Sequence, residues 1–402
     1  MSQRIILLVL LCLHVTLSFA DSVDEDENLL TIGLLQKYGY PHENHTVVTE
    51  DGYILNIHRI PRPGARPVFL MHGLMDSSAT FILMGPGKGL GYLLYEQGYD
   101  VWMGNSRGNT YCREHVKYTT DEQEFWDFSF HELALFDLPI TIDYVLQLTN
   151  YTNLHYIGHS QGTTSFWILG SERPEYMEKI LLMQALAPIA FFEYCKSPIV
   201  NFLGATDLTA NLVSRLLGPS EFLPSDDFLN MFSDVLCNSS PLGLKLCKNV
   251  LFLFAGYSPA QLNETMLPVI LSHDPAGAST KQVMHYVQFR ASNEFRKYDY
   301  GLLRNVALYS SPFPPKYDLS RVTAKVILYY GQNDLLGQPE DVSRLYFKLP
   351  NVVLKYLVDY PRFNHLDFTW GIDVPELLYH RMFKTMRYFE GAALKEEEAA
   401  DK

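Results

Sequence analysis

The stretch LHYIGHSQGTTSFWIL, residues 154–169, decides the fold because it joins a strand pattern to a helix pattern through a turn of small residues. Its apolar first part, Leu154–Ile157, is typical of a strand that is buried on both faces of a parallel sheet. The pentapeptide GHSQG at 158–162 follows, and Gln161–Ser171 then predicts a helix. The turn either only connects the two elements or presents Ser160 as a nucleophile.

The same alternation of strand-like and helix-like segments recurs along the chain. Runs rich in Val, Ile, Leu and Tyr predict further strands at Arg66–Met71, Lys179–Met183, Lys325–Tyr330 and Val352–Val358. Helices are predicted at Glu132–Gln147, with Pro139 as its start or a kink, and at Pro339–Phe347. The pattern therefore predicts an α/β fold with a mostly parallel central sheet and flanking helices.

One long segment, residues 191–310, has few strand-like runs and several helix-like ones. Two of these, NLVSRLLG at 211–218 and NVLFLFAG at 249–256, end in glycine, as helices often do. We interpret the segment as a mostly helical cap or lid domain, inserted between two parts of the core at 21–190 and 311–402.

Composition excludes some classes of partner. Of the 402 residues, 47% are hydrophobic and 19% charged, so the chain is able to bury a large core. The formal net charge of −13 argues against nucleic acid as a partner, because nucleic acid requires a basic face. It also provides no attraction toward anionic lipid.

Residues 1–20, MSQRIILLVLLCLHVTLSFA, predict a secretory signal peptide. Arg4 is the basic start, Ile5–Leu17 the apolar region and Ser18–Ala20 a small-x-small cleavage site. The alternative is a membrane anchor, but the apolar region is short for a bilayer span, and no later segment sustains the about 18 apolar residues that a span needs. We therefore expect the secretory route, ending in secretion or in the lysosome, and no transmembrane segment.

Glycan acceptor triplets and cysteines fit that route. The acceptor triplets begin at Asn44, Asn150, Asn238 and Asn263. Four cysteines lie beyond the signal peptide, namely Cys112, Cys195, Cys237 and Cys247. The last two flank a short turn, so they form a short-loop disulfide or, alternatively, all four are buried thiols. No cysteine or histidine spacing indicates a metal site.

The strand, Gly-x-Ser-x-Gly and helix succession is the pattern of a nucleophile elbow, which exposes Ser160 at the carboxyl edge of the sheet. Such a serine needs a histidine base later in the chain. His365 follows the strand Val352–Val358 across a loop, where the site is expected. The other later histidines are less well placed, because His273 and His285 fall in the presumed insertion and His380 falls in a helix-like segment.

The base needs an orienting acid, and Asp334 lies in the loop that follows the strand Lys325–Tyr330. Glu340 and Asp341 are at the start of the next helix, where acidic residues favour the helix dipole. Asp367 is close to His365 in sequence and is interpreted as structural.

An oxyanion hole needs two backbone donors. One is expected to be the N–H of Gln161, and the other the N–H of Leu74 in the loop after the strand Arg66–Met71, with Met75 as the alternative. We expect His72 to shape that loop and His159 to point away from the serine.

At this level of detail, the chain resembles the acid lipase family, the animal gastric and lysosomal lipases of the α/β-hydrolase fold. The resemblance covers nearly the whole chain beyond the signal peptide. The motifs that carry it are VTEDGYILNIHRIP (48–61), HGLMDSS (72–78), GYDVWMGNSRGNTY (98–111), EFWDFSFHELALFDLP (124–139), LHYIGHSQGTT (154–164), LSHDPAGAST (271–280), NDLLGQPEDV (333–342) and NHLDF (364–368).

The resemblance implies a role for each matching position. Ser160, Asp334 and His365 match the catalytic triad, and Leu74 and Gln161 match the oxyanion donors. It also implies that Cys237 pairs with Cys247 and that the insertion is a cap and lid domain. The family often has a small apolar residue where Asp76 stands, beside the oxyanion loop, so the resemblance does not fix the fine substrate preference.

The sequence thus predicts a serine lipase without a metal or organic cofactor that hydrolyses neutral lipid esters, triacylglycerol or cholesteryl ester, at an oil–water interface. Two alternatives are a carboxylesterase for small soluble esters and a non-catalytic lipid-binding protein on a lipase scaffold. The last has no reason to keep serine, acid, base and oxyanion loop together.

Overall fold

The computed structural model of the chain describes residues 25–203, 219–222 and 251–400. The predicted signal peptide, Asn238, Cys237 and Cys247 lie outside these residues and stay predictions. Cys112 and Cys195 are both buried free thiols.

Within these described residues, nine strands form one sheet that is antiparallel at one edge and parallel elsewhere. The strands are β1 Glu43–Val48, β2 Tyr53–Ile60, β3 Pro67–Met71, β4 Asp100–Met103, β5 Glu114–His115, β6 Leu154–His159, β7 Ile180–Leu186, β8 Val326–Tyr330 and β9 Val352–Leu357. Their order is β1-β2-β4-β3-β6-β7-β8-β9, and β5 pairs with β2. β1, β2 and β4 pair antiparallel, whereas every pair from β4 to β9 is parallel.

Helices connect and cover these strands. The α-helices are α1 Thr31–Lys37, α2 Leu90–Glu96, α3 Phe130–Glu132, α4 Leu138–Thr149, α5 Gln161–Glu172, α6 Pro198–Leu203, α7 Leu267–His273, α8 Thr280–Ser292, α9 Leu302–Tyr309, α10 Pro339–Tyr346, α11 Asp367–Trp370 and α12 His380–Ala400. A π-helical stretch, Leu133–Asp137, joins α3 to α4, and a second one, Pro375–Tyr379, leads into α12. Short 3₁₀ helices occur at Ser78–Phe81, Gln123–Trp126, Pro174–Lys179, Glu264–Met266 and Leu319–Arg321.

The five predicted strands are confirmed as β3, β6, β7, β8 and β9, with ends that differ by at most three residues. Successive residues of β3 show why these strands are continuous apolar runs in the sequence. Val68 and Leu70 belong to one buried cluster, whereas Phe69 and Met71 belong to another. Since side chains alternate between the faces of a strand, both faces of β3 are covered, as the α/β prediction requires.

The predicted helices at the elbow and after β8 are confirmed as α5 and α10. The predicted helix Glu132–Gln147 is a π-helical stretch followed by α4, and Pro139 stands in the first turn of α4. Since α4 continues directly from the π-helical stretch, Pro139 lies inside one helical run, and the π turn before it accommodates a residue that has no N–H to donate.

The described residues between β7 and β8 are helical in α6 to α9 and at 251–255, with short 3₁₀ turns, and their β-pairing is limited to isolated bridges. One of these bridges reaches outside this region, from Leu262 to Gly371. The division into a core and a separate cap domain at 191–310 stays a prediction.

A buried ion pair ties the loop after β4 to the helical run before α4. Arg107 is fully enclosed and donates to Asp137 through Nε at 2.9 Å and Nη2 at 2.6 Å. It also donates to Asp51 at 2.5 and 2.9 Å, and its guanidinium lies 3.9 Å from the centre of the Tyr53 ring. The planar fork of arginine suits this double pairing.

We predict that Asp137→Ala lowers the free energy of unfolding by about 3–5 kcal/mol, because it leaves a buried guanidinium partly unpaired. Urea unfolding followed by circular dichroism measures this change. The matched control is Asp143→Ala in the same helical run, whose half-exposed carboxylate pairs with Lys179. We expect it to cost less than about 1 kcal/mol. Equal losses in the two variants would contradict the prediction.

Candidate active site

The turn between β6 and α5 holds Ser160 in a strained conformation. Ser160 has φ 50° and ψ −112°, and residues other than glycine rarely adopt such a positive φ. A Cβ on Gly158 would lie 2.8 Å from the backbone of Gly162, and one on Gly162 would lie 2.2 Å from the carbonyl oxygen of Met71. Only glycine fits either position, so the two glycines fix a sharp turn that presents the partly exposed Ser160.

Three side chains from three loops meet in one hydrogen-bonded line. His365 Nε2 lies 2.8 Å from Ser160 Oγ, and His365 Nδ1 lies 2.8 Å from Asp334 Oδ2. A carboxylate only accepts, so the Nδ1–H donates to Asp334 and Nε2 is left to accept the serine hydroxyl. These residues follow β6, β8 and β9, whose carboxyl ends share one edge of the sheet.

Asp334 is fully buried, and its backbone surroundings orient it. Its Oδ1 accepts the N–H groups of Leu336 at 2.9 Å and Gly337 at 2.8 Å, which leaves Oδ2 facing His365. The side chain of Gln338 donates to the carbonyl oxygen of Asp334. The carboxylate is therefore held before any substrate arrives.

The other acidic candidates bind backbone groups instead of His365. Asp341 accepts the N–H of Tyr194 at 2.9 Å from within α10, which also contains Glu340 in its first turn. Asp367 accepts the N–H of Asn364 at 2.8 Å. Burial raises the pKa of Asp367 to about 7, and the negative charge of Asp334 adds to that shift.

The remaining later histidines lie away from Ser160. His273 Nε2 is 2.7 Å from the carbonyl oxygen of Leu29, and His285 Nε2 is 2.9 Å from that of Arg296. His380 is exposed at the start of α12. Among the later histidines, His365 alone lies in the loop directly after β9, which is the position that the sequence pattern selected.

His159 forms a hydrogen bond to the backbone of His365, a contact that sequence reasoning missed. Its Nε2–H donates to the carbonyl oxygen of His365 at 3.0 Å, and the two ring centres are 5.2 Å apart. Burial lowers the pKa of His159 to about 3, and the nearby His365 lowers it further. The ring is therefore neutral at physiological pH and acts as a fixed donor.

The loop Gly73–Asp76 lies against the nucleophile. A Cβ on Gly73 would be only 3.4 Å from Cβ of Ser160. His72 donates from Nδ1 to the carbonyl oxygen of Gly73 at 2.8 Å, while its Nε2 accepts the N–H of Ser106 at 3.1 Å. Burial lowers the pKa of His72 to about 4, so the ring stays neutral at physiological pH. Its two hydrogen bonds join the loop to Ser106.

The two predicted oxyanion donors belong to segments next to Ser160, namely the start of α5 and the loop that contains Gly73. Gln161 is the first residue of α5, so its N–H has no carbonyl partner within the helix. Leu74 is in the clamped loop, and the following Met75 has φ 63°, which turns the chain sharply. The roles of Leu74 and Gln161 stay predictions.

A segment from the predicted insertion joins the acid and base loops. The carbonyl oxygen of Ala255 accepts the N–H groups of both Leu335, at 3.2 Å, and His365, at 3.3 Å. Next to it, the carbonyl oxygen of Gly256 accepts the side chain of Asn364 at 2.8 Å. Sequence reasoning could not find this bridge, because a backbone carbonyl leaves no signal in residue type.

The predicted glycan acceptors differ in accessibility. Asn44 and Asn150 are exposed, whereas Asn263 is half-buried and its Oδ1 accepts the N–H of Thr265 at 3.2 Å.

Within the described ranges, no group of three or more histidine, cysteine or acidic side chains is arranged to hold a metal ion. The helices of those ranges include none with the length and apolar character of a bilayer-spanning segment.

Comparison with protein families gives two matches. Residues 66–372 match the model of the α/β-hydrolase fold, and residues 31–85 match that of a partial α/β-hydrolase lipase region. Among solved structures, the chain is similar to an Acinetobacter baumannii protein described as a putative lipase. Their TM-score is 0.52 at 12% identity, over 89% of this chain and 96% of that one. This likeness supports the fold.

Curated relatives are more similar in sequence. Lipase 1 of Drosophila melanogaster is 44% identical over 365 residues, which cover 91% of this chain and 81% of that protein. Gastric triacylglycerol lipase of Bos taurus is 41% identical over 363 residues, covering 88% and 90% of the two chains. The human gastric triacylglycerol lipase is 40% identical over 356 residues, covering 86% and 88%.

We predict that Gly162→Ala slows the reaction of Ser160 with a fluorophosphonate probe by on the order of 100-fold. The added methyl cannot fit against the Met71 carbonyl and must displace the turn. The matched control is Gly391→Ala in α12, where a Cβ meets nothing within 4 Å and the labelling rate should not change. An unchanged rate in a folded Gly162→Ala protein would rule out the close approach.

Proposed function

Because the chain belongs to the α/β-hydrolase lipases related to gastric triacylglycerol lipase, we propose that it hydrolyses neutral lipid esters with Ser160 as its nucleophile. The observation that carries this proposal is the line from Ser160 through His365 to Asp334, with 2.8 Å at each contact. A strained serine, a buried acid and a histidine that is hydrogen-bonded to both are what acyl transfer to serine requires.

In the proposed mechanism, His365 Nε2 takes the Ser160 proton as Oγ attacks the ester carbonyl carbon. Asp334 keeps the ring oriented and stabilises the imidazolium. The N–H groups of Leu74 and Gln161 bind the oxyanion, each contributing roughly 3 kcal/mol. His365 then protonates the leaving alcohol, and water releases the acid in a second cycle of the same steps.

Two features support a lipid substrate. The relatives named as triacylglycerol lipases match nearly the whole chain, and triacylglycerol or cholesteryl ester is the proposed class of ester. Leu253 and Tyr257 flank Ala255, the residue that bridges the acid and base loops, and both side chains are more than half exposed. Apolar side chains at this position are suited to an acyl chain or to an oil–water interface.

We place the enzyme in the secretory route, either exported or lysosomal. The support is the predicted signal peptide at 1–20, the predicted Cys237–Cys247 disulfide and the exposed acceptors Asn44 and Asn150. The mostly helical insertion at 191–310 is the proposed cap, because it supplies the bridge at Ala255 to the site.

The first test replaces the nucleophile. We expect Ser160→Ala to lose hydrolysis by at least about 10⁴-fold and to lose fluorophosphonate labelling, because the acyl-enzyme cannot form. Ser165→Ala is the matched control, since this serine is buried on the same helix. Its activity should stay within about threefold of wild type, as expected for a residue that acts in no chemical step. Labelling of Ser160→Ala at the wild-type rate would refute the assignment.

The second test separates a lipase from an esterase for small soluble esters. Purified protein is given emulsified triacylglycerols, cholesteryl esters and a soluble short-chain ester at acid and neutral pH. A lipase should show activity that rises sharply once the long-chain substrate forms an interface. A flat response with a short-chain optimum would favour the esterase, and labelling without any turnover would favour a binding protein.

A further inference from the structure

Asp334 and His365 are each preceded by an asparagine. Asn333 comes directly before Asp334 in the loop after β8, the acid loop, and Asn364 comes directly before His365 in the loop after β9, the base loop. Both asparagine side chains donate to the backbone of residues 255–257, which we call the insertion turn. Two loops that are separate in the chain are thus bound to one short stretch of a third segment.

Asn333 joins the acid loop to two other segments. Its Nδ2 donates to the carbonyl oxygen of Tyr257 in the insertion turn at 3.0 Å and to that of Arg362 in the base loop at 3.1 Å. Its backbone N–H donates to the carbonyl oxygen of Phe363 at 3.2 Å. Since an amide N–H₂ group has two hydrogens, both of them are used. Asn333 therefore ties the acid loop to the base loop as well as to the insertion turn.

Asn364 binds the insertion turn from the base loop and is itself buried. Its Nδ2 donates to the carbonyl oxygen of Gly256 at 2.8 Å. Its Oδ1 accepts the N–H groups of Leu366 and Asp367, both at 2.9 Å. One end of the amide thus orders the loop around His365, and the other end binds the insertion turn.

The insertion turn fits closely against both loops. The carbonyl oxygen of Ala255 accepts the N–H groups of Leu335 and His365. Gly256 has φ 121°, and a Cβ at this position would collide with the carbonyl oxygen of Asn333, so only glycine allows the approach. The three successive carbonyl oxygens of the turn therefore accept hydrogen bonds from both loops.

We propose that Asn333 and Asn364 are positioning residues, which bind the acid and base loops to one turn and hold them at a fixed separation. The contacts that depend on this separation are those of His365 with Asp334 and Ser160, each 2.8 Å long. The proposal rests on the proposed function, since it treats His365 as the base. It adds two residues that act through the loops and touch no substrate.

The physical reason lies in the two-sided contact of His365. The ring must meet Ser160 on one side and Asp334 on the other, so a shift of either loop lengthens one of the two hydrogen bonds. A displacement of about 1 Å near a reacting group is enough to lower a rate by about 100-fold. The side chains of Asn333 and Asn364 are neutral, so they hold the loops without placing a charge beside the imidazole.

Kinetics on a soluble ester, p-nitrophenyl butyrate, test the proposal. Asn333→Ala removes the side-chain donor of the acid loop. Asn364→Ser keeps a short acceptor for its own loop but is too short to reach Gly256. We expect each variant to lower kcat by about tenfold with less than about threefold change in KM, because a misplaced base slows the chemical step. The rate at which a fluorophosphonate labels Ser160 should fall by the same factor.

Asn351→Ala is the matched control. The Asn351 side chain also donates to a backbone carbonyl oxygen, that of Thr323 at 3.0 Å, but it lies at the amino end of β9, away from the site. We expect less than about twofold change in its kcat. If Asn333→Ala and Asn364→Ser behave like this control, the proposal is wrong. A lower melting temperature with unchanged kcat would also overturn it, because the two asparagines would then only stabilise the fold.

Gly256→Ala disturbs the same contact from the side of the insertion turn. The added methyl would meet the carbonyl oxygen of Asn333, so we expect kcat to fall by about tenfold or more. In the double variant with Asn333→Ala, the two losses should not add, because both changes break one contact. Fully additive losses would contradict the proposal. If Asn364→Ser does not fold, this pair of variants decides alone.

Hydrogen exchange supplies a readout that needs no turnover. The N–H groups of Leu335 and His365 both donate to Ala255, so the peptides that contain them report on the acid loop and the base loop. Asn364→Ser should lower protection in the acid loop as well as in its own loop, and Asn333→Ala should likewise lower it in the base loop. Loosening that is confined to the mutated loop would overturn the proposal. Hydrolysis that survives in Ser160→Ala would instead refute the proposed function and leave this readout valid.

Discussion

The close approach of Gly162 to the carbonyl oxygen of Met71 is the contact on which the rest of the site depends. Met71 ends β3, and His72 begins the oxyanion loop, so this contact sets the helix after the nucleophile directly against that loop. The strain at Ser160 persists because both sides of the turn are fixed by packed backbone. A side chain at 162 would push the helix that begins after Ser160 away from the end of β3.

Sequence patterns predicted the parts of the molecule that have a local signature. β3, β6, β7, β8 and β9 were found because strands covered on both faces are continuous apolar runs. The three side chains of Ser160, His365 and Asp334 were expected to meet because each follows its own strand in a fixed chain order. β1, β2, β4 and β5 were not predicted. β4 has only four residues, β5 has only two, and β1 buries one residue of six.

Contacts between distant residues escaped prediction for a physical reason. The Arg107 pairs with Asp51 and Asp137 join residues 30 to 56 positions apart, and no spacing rule brings them together. The same is true of the Ala255 carbonyl that serves two catalytic loops. Asp76 was noticed in sequence as a departure from the family pattern, but the hydrogen bond from Ala276 to Met75 beside it became visible only in three dimensions.

The described part of the segment between β7 and β8 contacts the loops around Ser160 through its backbone. Its backbone supplies Ala255 to the acid and base loops and Ala276 to the oxyanion loop, so it touches both halves of the catalytic arrangement. A displacement of that segment by a bound lipid would therefore be transmitted to Asp334, His365 and Leu74 through single hydrogen bonds. The segment between β7 and β8 and the loops that carry Asp334, His365 and Met75 are therefore connected by hydrogen bonds between backbone groups.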